Sequence, residues 1–501
     1  VQSGFTLSRV EPRAFLLIFG YLVFCSVFVW MISGVSLTFP VPWPDESSFL
    51  WQAIAVQEHN QLFAPQLSVE RDVMWMPPGY AIVMGFIFKL TGFSLPLARW
   101  TSAGFVMLAF GTVLLAFMKH RAAPWLLVLL GLFLLSSRVV LAGNFARMEA
   151  LMMFQVFAGV LLICRGKWYL ALSVIALSPL VHPNGLHFCL PAGALFLWHV
   201  FRRDKTLLPG TLDRFYIGCV VVAWSSYAWY VSQHWPGFLS DMQFQADAKN
   251  QLWALYGGLQ GQLRKVHNLF SLAVLLPSLV FLRSDISRFL ILISISLLSL
   301  NLVSIGLSYA VFEAAAMLVS SILCVVLLLD VASRRWHQAK ALQVAAATAT
   351  LLLIGLQLHW GYLEERIGDP AALAFEDVKA DTDNTWITDE ERAAVRDYLL
   401  SLPESEGTPI MVMFLPSADG LLLNEFRNSN IEFVAQTFKQ RKVDIMIHHE
   451  HPAIPVRLAR LLGMSLIYQV QLSEDTDLAG RELNAKDENT RWTAYDMRGN
   501  K

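Results

Sequence analysis

FPVPWPDESSFLWQA, residues 39–53, follows the first long apolar run of the chain and sets two adjacent carboxylates, Asp45 and Glu46, behind three prolines. Pro40, Pro42 and Pro44 stiffen the approach and discourage helix ahead of the acids. The residues that follow, SSFLWQAIAVQEHN, distribute Phe49, Leu50, Ala53, Ile54 and Gln57 over successive turns of an amphipathic helix. Alone, the pattern fits a capped helix at a membrane interface, because a carboxylate at a helix N-terminus needs no chemistry. The surrounding sequence decides between that role and a reactive one.

The chain of 501 residues is 55% hydrophobic and only 15% charged, a balance typical of polytopic membrane proteins and rare in soluble domains. Its net charge of -1, with no dominant basic stripe, argues against a nucleic-acid partner. All five cysteines lie in apolar runs, at spacings that match neither a disulfide framework nor a zinc motif. Arg9 and Arg13 precede the first apolar run and no small-residue cleavage pattern follows it, which predicts an uncleaved first span.

A helix crosses the hydrocarbon with about 20 apolar residues. Candidate spans fall near 14–36, 98–118, 123–141, 148–164, 168–182, 185–201, 214–232, 267–282, 288–307, 311–333 and 341–360. The expected fold is a polytopic α-helical membrane bundle of about 11–13 spans. If Arg9 and Arg13 are cytoplasmic, the clusters at 119–121, 165–167, 202–205, 283–288 and 334–340 also fall inside, as the positive-inside rule requires. This holds only if residues 77–90 do not cross, so that run is expected to lie along the outer interface. Residues 37–97, 142–147, 182–185, 233–266 and the tail after about 361 are then external.

The tail changes character at YLEERIGDPAALAFEDVKADTDNTW. Thr388 and the acids after it cap a helix through Leu400. PIMVMFLP, VDIMIHH and RWTAYDM read as strands. The expected organisation is a transmembrane region, 1–360, with external loop 37–97, followed by a small soluble α/β domain, 361–501. The histidines of IHHEHP, 447–452, read as a solvated loop, since no distant partner ligand is evident.

Four polar breaks converge on the outer leaflet. NFARMEALMMF places Arg147 and Glu149 at the outer end of one span; ALSPLVHPNGLHF places His182 and Asn184 at another. DVMWMPPGYAIVMGF supplies a Pro-Pro-Gly turn into the interfacial run, and PDESSFLWQA supplies the acidic pair. Ionisable groups at membrane depth are costly and tend to mark function. Each also has a plain structural role: capping for Asp45, snorkelling for Arg147 and Glu149, and satisfaction of a broken helix end for His182.

In order and spacing, PDESSFLWQA, WMPPGYAIVMGF, ARMEALMMF and LSPLVHPNGL resemble the GT-C glycosyltransferases. More narrowly, they resemble the branch of the protein O-mannosyltransferases and the lipid A aminoarabinose transferase. By motif the resemblance covers roughly 14–200, and by architecture the whole chain. It implies a sugar donor carried on a polyprenyl phosphate and a lipid, glycan or protein acceptor, meeting at the outer face of a bacterial inner membrane. It carries the role of general base to Asp45, with Glu46 and Glu149 as further catalytic acids; Glu149 orients the acceptor or, with Asp45, holds Mg, Ca or Mn.

The sequence departs from the family where Met76 precedes Pro77 in place of Lys or His, and where Glu149 stands in place of Asp. The first departure leaves the phosphate-neutralising residue to be found among Arg71, Arg147, His182, Lys249, Arg264, Lys265 and His267. Arg147 is preferred because it adjoins Glu149 and presents a fork; the alternative is that it only pairs with Glu149. Asn184, Tyr80, and the flanking Trp43 and Trp75 complete the expected substrate-binding set. The competing functions are a transporter or lipid flippase with an external accessory domain, and a non-catalytic envelope scaffold. A transporter is expected to show matched halves, which this chain lacks.

Overall fold

The computed structural model describes residues 12–33, 44–64, 72, 74, 76–120, 123–135, 139, 145–201, 209–243, 246, 263, 266–282, 285–303, 310–335, 389–402 and five strands with Asn430. The helices are α1 (Pro12–Ser33), α2 (Pro44–His59), α3 (Gly79–Thr91), α4 (Leu95–Phe117), α5 (Ala123–Leu134), α6 (Met148–Cys164) and α7 (Trp168–Leu177). They continue with α8 (Leu186–Phe201), α9 (Thr211–Gln233), α10 (Val266–Phe281), α11 (Asp285–Val303), α12 (Ala310–Arg335) and α13 (Asp389–Leu400). Pro12–Trp30, Leu95–Phe117 and Thr211–Gln233 are long and apolar enough to cross a membrane, and shorter apolar stretches of 10–17 residues lie within other helices, among them Ser287–Leu302 of α11 and Ala315–Leu328 of α12. Ten of the eleven expected spans overlap a helix, and the eleventh, 341–360, lies outside the described residues.

The outward faces are apolar. Phe15, Phe19, Leu22 and Trp30 of α1, and Phe215, Val221, Val222 and Trp229 of α9, are exposed, as lipid-facing side chains require. Arg13 donates to the carbonyl of His120 at 3.0 Å, which puts the basic end of α1 beside the 119–121 cluster at one end of the bundle. Between α10, α11 and α12 the packing is close and partly polar. Ser271 and Ser320 share a 2.9 Å hydrogen bond there, and Ser278, Ser294 and Ser321 are buried with them. Small hydroxyl side chains let membrane helices approach while satisfying their own donors.

The acidic pair lies inside a helix rather than ahead of one. α2 begins at Pro44, so the third proline occupies the first helical position, where its missing N–H costs nothing, and Asp45 and Glu46 fall in the first turn. That places both acids at the positive end of the helix dipole. The amphipathic expectation also changes: every residue from Phe49 to Val56 is buried, so α2 is enclosed by protein instead of resting on an interface.

α3 is the cover. Its 13 residues span about 20 Å, too short for a hydrocarbon core of about 30 Å. Tyr80, Ala81, Met84 and Phe88 face inward while Ile82, Phe86 and Leu90 face out, and α3 packs along α2. The two helices approach closely at Gly85.

Among the described residues of the tail, five strands form one mixed sheet in the order β2-β1-β3-β5-β4: β1 Ile410–Leu415, β2 Ile431–Phe433, β3 Ile445–His449, β4 Arg481–Glu482 and β5 Trp492–Asp496. β1 runs parallel to β2 and β3, and β5 runs antiparallel to β3 and β4. Three of the five strands coincide with the expected runs. α13 buries Val395 and Leu399, as β1 and β2 bury Ile410, Val412 and Ile431.

A Cβ at position 85 would lie 2.5 Å from Val56 Cγ1 and 2.9 Å from the Ala53 carbonyl oxygen. Gly85→Val is therefore expected to destabilise the fold by about 1–3 kcal/mol through overpacking. Thermal unfolding of the purified protein in detergent checks this, with an unchanged midpoint counting against the α2–α3 contact.

Candidate active site

Glu46 is fully buried and both its oxygens are engaged. Arg99, in the second turn of α4, donates from Nε to Oε1 and from Nη2 to Oε2, each at 2.9 Å, and the Ala146 N–H donates to Oε1 at 2.8 Å. One carboxylate thus ties together α2, α4 and the entry to α6. One turn after Arg99, the buried Ser102 hydroxyl accepts the Arg147 N–H at 3.3 Å.

Arg147 caps α6 in an extended conformation, and its side chain turns back onto Glu149 in the first helical turn. Nη2 donates to Oε1 at 2.9 Å, and Nε lies 3.2 Å from both oxygens. The guanidinium also sits 5.7 Å from the centre of the Phe49 ring of α2, within cation–π range. Phe49 in turn meets Tyr80 edge-on, with ring centres 6.3 Å apart. The Tyr80 hydroxyl is buried beside Ser102, in the field of Glu46, Glu149 and Arg147, without a hydrogen bond of ordinary geometry.

His182 approaches from the α7–α8 turn. Its Nδ1 accepts the Asn184 N–H at 3.1 Å, capping the short helix Pro183–Gly185. The ring proton is then on Nε2, which faces Glu149 Oε1 at 3.9 Å. Two glycines hold this turn in place. A Cβ on Gly185 would lie 2.5 Å from Ser178 and Pro179 backbone atoms, and one on Gly79 would lie 2.4 Å from the Leu180 carbonyl oxygen. The Pro-Pro-Gly segment therefore packs straight onto the turn that carries His182.

The structure brings together Glu46, Arg147, Glu149, His182, Asn184 and Tyr80, and places the backbone of Asp45 in the same helical turn as Glu46. The Asp45 side chain, Trp43, Trp75, Arg71, Lys249, Arg264, Lys265 and the His267 side chain lie outside the described residues. Glu46, expected among the reacting acids, accepts hydrogen bonds on both oxygens. Arg147 donates to both oxygens of Glu149, and the side chain of Asp45, the other expected metal ligand, lies outside the described residues. Among the described residues, no three His, Cys, Asp or Glu side chains are placed to hold a metal. Arg99, Ser102 and Phe49 belong to the cluster and were not singled out by sequence. The one signal was Arg99 itself, a lone charge inside the apolar run LPLARWTSAGF.

The fold has a counterpart among solved structures. ArnT from Cupriavidus metallidurans, in a crystal structure bound to undecaprenyl phosphate, superposes with a TM-score of 0.53 at 14% identity, over 97% of this chain and 98% of that one. The chain shares that fold. Two structures of the Archaeoglobus fulgidus oligosaccharyltransferase are also similar, one tethered with an acceptor peptide and one complexed with Zn and sulfate. Their TM-scores are 0.44 and 0.39 at 11% and 13% identity, over 87% and 86% of this chain and 69% and 68% of theirs. No protein-family model and no characterised sequence matches the chain. In this chain the acidic turn, the Arg-x-Glu entry to α6 and the His182 turn meet.

A second polar cluster lies beyond them. Asp72 accepts the Tyr230 hydroxyl at 2.6 Å and faces His234 at 3.8 Å, while the Met74 N–H donates to Asp241 at 2.8 Å. These contacts fasten the chain ahead of the prolines to the end of α9 and residues 235–243.

Removing Arg147 would leave the buried Glu149 charge without its cation. Arg147→Met is expected to cost about 3–5 kcal/mol, and Arg147→Met with Glu149→Leu to recover most of it. Denaturant unfolding in detergent measures both; equal losses in the single and double variants would show that the pair does not exist.

Proposed function

We propose that the chain is a membrane glycosyltransferase, moving a pentose or hexose from a polyprenyl-phosphate donor to an acceptor hydroxyl at the outer face of a bacterial inner membrane. The observation that carries this reading is the meeting of the Asp45–Glu46 turn with Arg147, Glu149 and His182 at one end of a GT-C fold. The match to a fold bound to undecaprenyl phosphate, over nearly the whole of both chains, supports the donor class.

Asp45 is the general base. The acceptor oxygen attacks the anomeric carbon, its proton passes to the Asp45 carboxylate, and the carbon–oxygen bond to phosphate breaks on the opposite face. The electron pair leaves with the polyprenyl phosphate, so the sugar configuration inverts. The leaving group is already an anion and needs positive charge rather than a proton. Arg147 supplies it, with Glu149 holding the guanidinium in register and Phe49 beneath it. His182, as an Nε2–H donor, and Asn184 line the same end and are assigned to substrate. No step runs through a metal.

Residues 1–360 form the catalytic membrane region with the N-terminus cytoplasmic, and 361–501 form a periplasmic α/β domain. That domain is built on the five-stranded sheet and contributes to acceptor choice. The positive-inside pattern and the Arg13–His120 contact support this orientation.

The test incubates purified protein with polyprenyl-phosphate sugars and lipid, glycan and peptide acceptors. Wild type is expected to transfer, and Asp45→Asn to lose about 10²–10⁴-fold in kcat with donor KM little changed. Transfer undiminished in Asp45→Asn removes Asp45 as base. Absence of transfer to any acceptor, with lipid movement across liposomes, favours the flippase.

A further inference from the structure

Arg99 heads the fully buried side chains of the described residues by volume, and it is charged. It lies at the start of a helix long and apolar enough to cross a membrane, where a guanidinium is tolerated only with its donors occupied. Its visible partner is the carboxylate of Glu46, met as a two-point fork, with the Ala146 N–H closing the third side. A hydrophobic pair of similar volume would hold three segments together at least as well, since buried ion pairs rarely add net stability. What a fork adds is direction. Two parallel hydrogen bonds fix both the distance and the plane of the carboxylate, which an apolar contact does not.

We propose that Arg99 is the positioning residue of the reaction centre. It sets the rotation of α2 through Glu46, so that Asp45 and Arg147 are presented to the same donor. This rests on the reading of Asp45 as the base. Asp45 is one residue from Glu46, about 100° around the helix, so fixing the helix at one fixes it at the other. α4 acts as the template for both sides of the site: Arg99 holds α2, and Ser102, on the same helical face one turn later, holds the backbone of Arg147. The acid side and the cation side are thereby referenced to a single helix.

The test uses the full-length protein in detergent, as wild type, Arg99→Lys, and the paired variant Arg99→Met with Glu46→Met. Three quantities are read: thermal midpoint, hydrogen exchange over 44–50 and 145–149, and kcat and donor KM for transfer. Arg99→Lys keeps the charge but loses the fork. It is expected to exchange faster in both segments and to lose about 100-fold in kcat, as small misplacements of reacting groups do. Its donor KM is expected to stay within about threefold of wild type. The paired variant is expected to unfold at or near the wild-type midpoint and still lack kcat. Recovery of kcat together with stability in the paired variant, or wild-type kcat in Arg99→Lys, overturns the proposal by reducing the pair to a structural tie. If wild type transfers no sugar at all, the glycosyltransferase reading falls and the exchange data decide alone. Faster exchange over 44–50 in Arg99→Lys then supports the positioning role, and unchanged exchange overturns it.

Discussion

A carboxylate and a guanidinium with no exposure to solvent bind α2 to α4 inside an apolar bundle. Desolvating two such charges costs several kcal/mol each, and only near-ideal geometry offsets it. The fork between Glu46 and Arg99 has that geometry, and the Ala146 N–H occupies the remaining approach to Oε1. Because either partner alone would be a buried uncompensated charge, the three segments dock together or not at all. The rest of the site follows from this joint. With Ala146 held, Arg147 is at the mouth of α6, where its N–H meets Ser102 and its side chain meets Glu149.

The second constraint is steric. Gly79, Gly85 and Gly185 each sit where a Cβ would overlap a neighbour. At 79 and 185 the obstacle is backbone, which cannot swing aside as a side-chain tip can. These contacts bring α3 against α2 and the Pro-Pro-Gly turn against the turn of His182. The polar groups then share one small volume although they come from four stretches of sequence. Packing between small residues is how membrane helices approach when burial of apolar surface offers no gain over lipid.

Much of this was legible in the sequence. Long apolar runs place helices because a span has few ways to satisfy its backbone, and the observed helices overlap those runs closely. Arg147, Glu149 and His182 stood out as charges at the ends of apolar runs, and they meet. The strands of the tail that were expected are the ones of five or six residues; β2 and β4, with three and two residues, carry too little pattern to find. Arg99 escaped because a single charge in an apolar helix carries no label for its partner, and Glu46 is 53 residues away. The start of α2 was placed late because prolines read as helix breakers, yet Pro44 is at the one helical position that suits it. Local pattern thus gives the elements, while the pairing of distant charges is a property of the packed bundle.

We propose that the Asp45–Arg147 end of the bundle holds the lipid-linked phosphate. A structure of the protein with undecaprenyl phosphate, by cryo-electron microscopy in a lipid nanodisc, tests this directly. The predicted result is phosphate density within hydrogen-bond distance of the Arg147 guanidinium and beside the first turn of α2, with the Glu46–Arg99 fork intact. Phosphate density seated elsewhere, away from both α2 and Arg147, would contradict it.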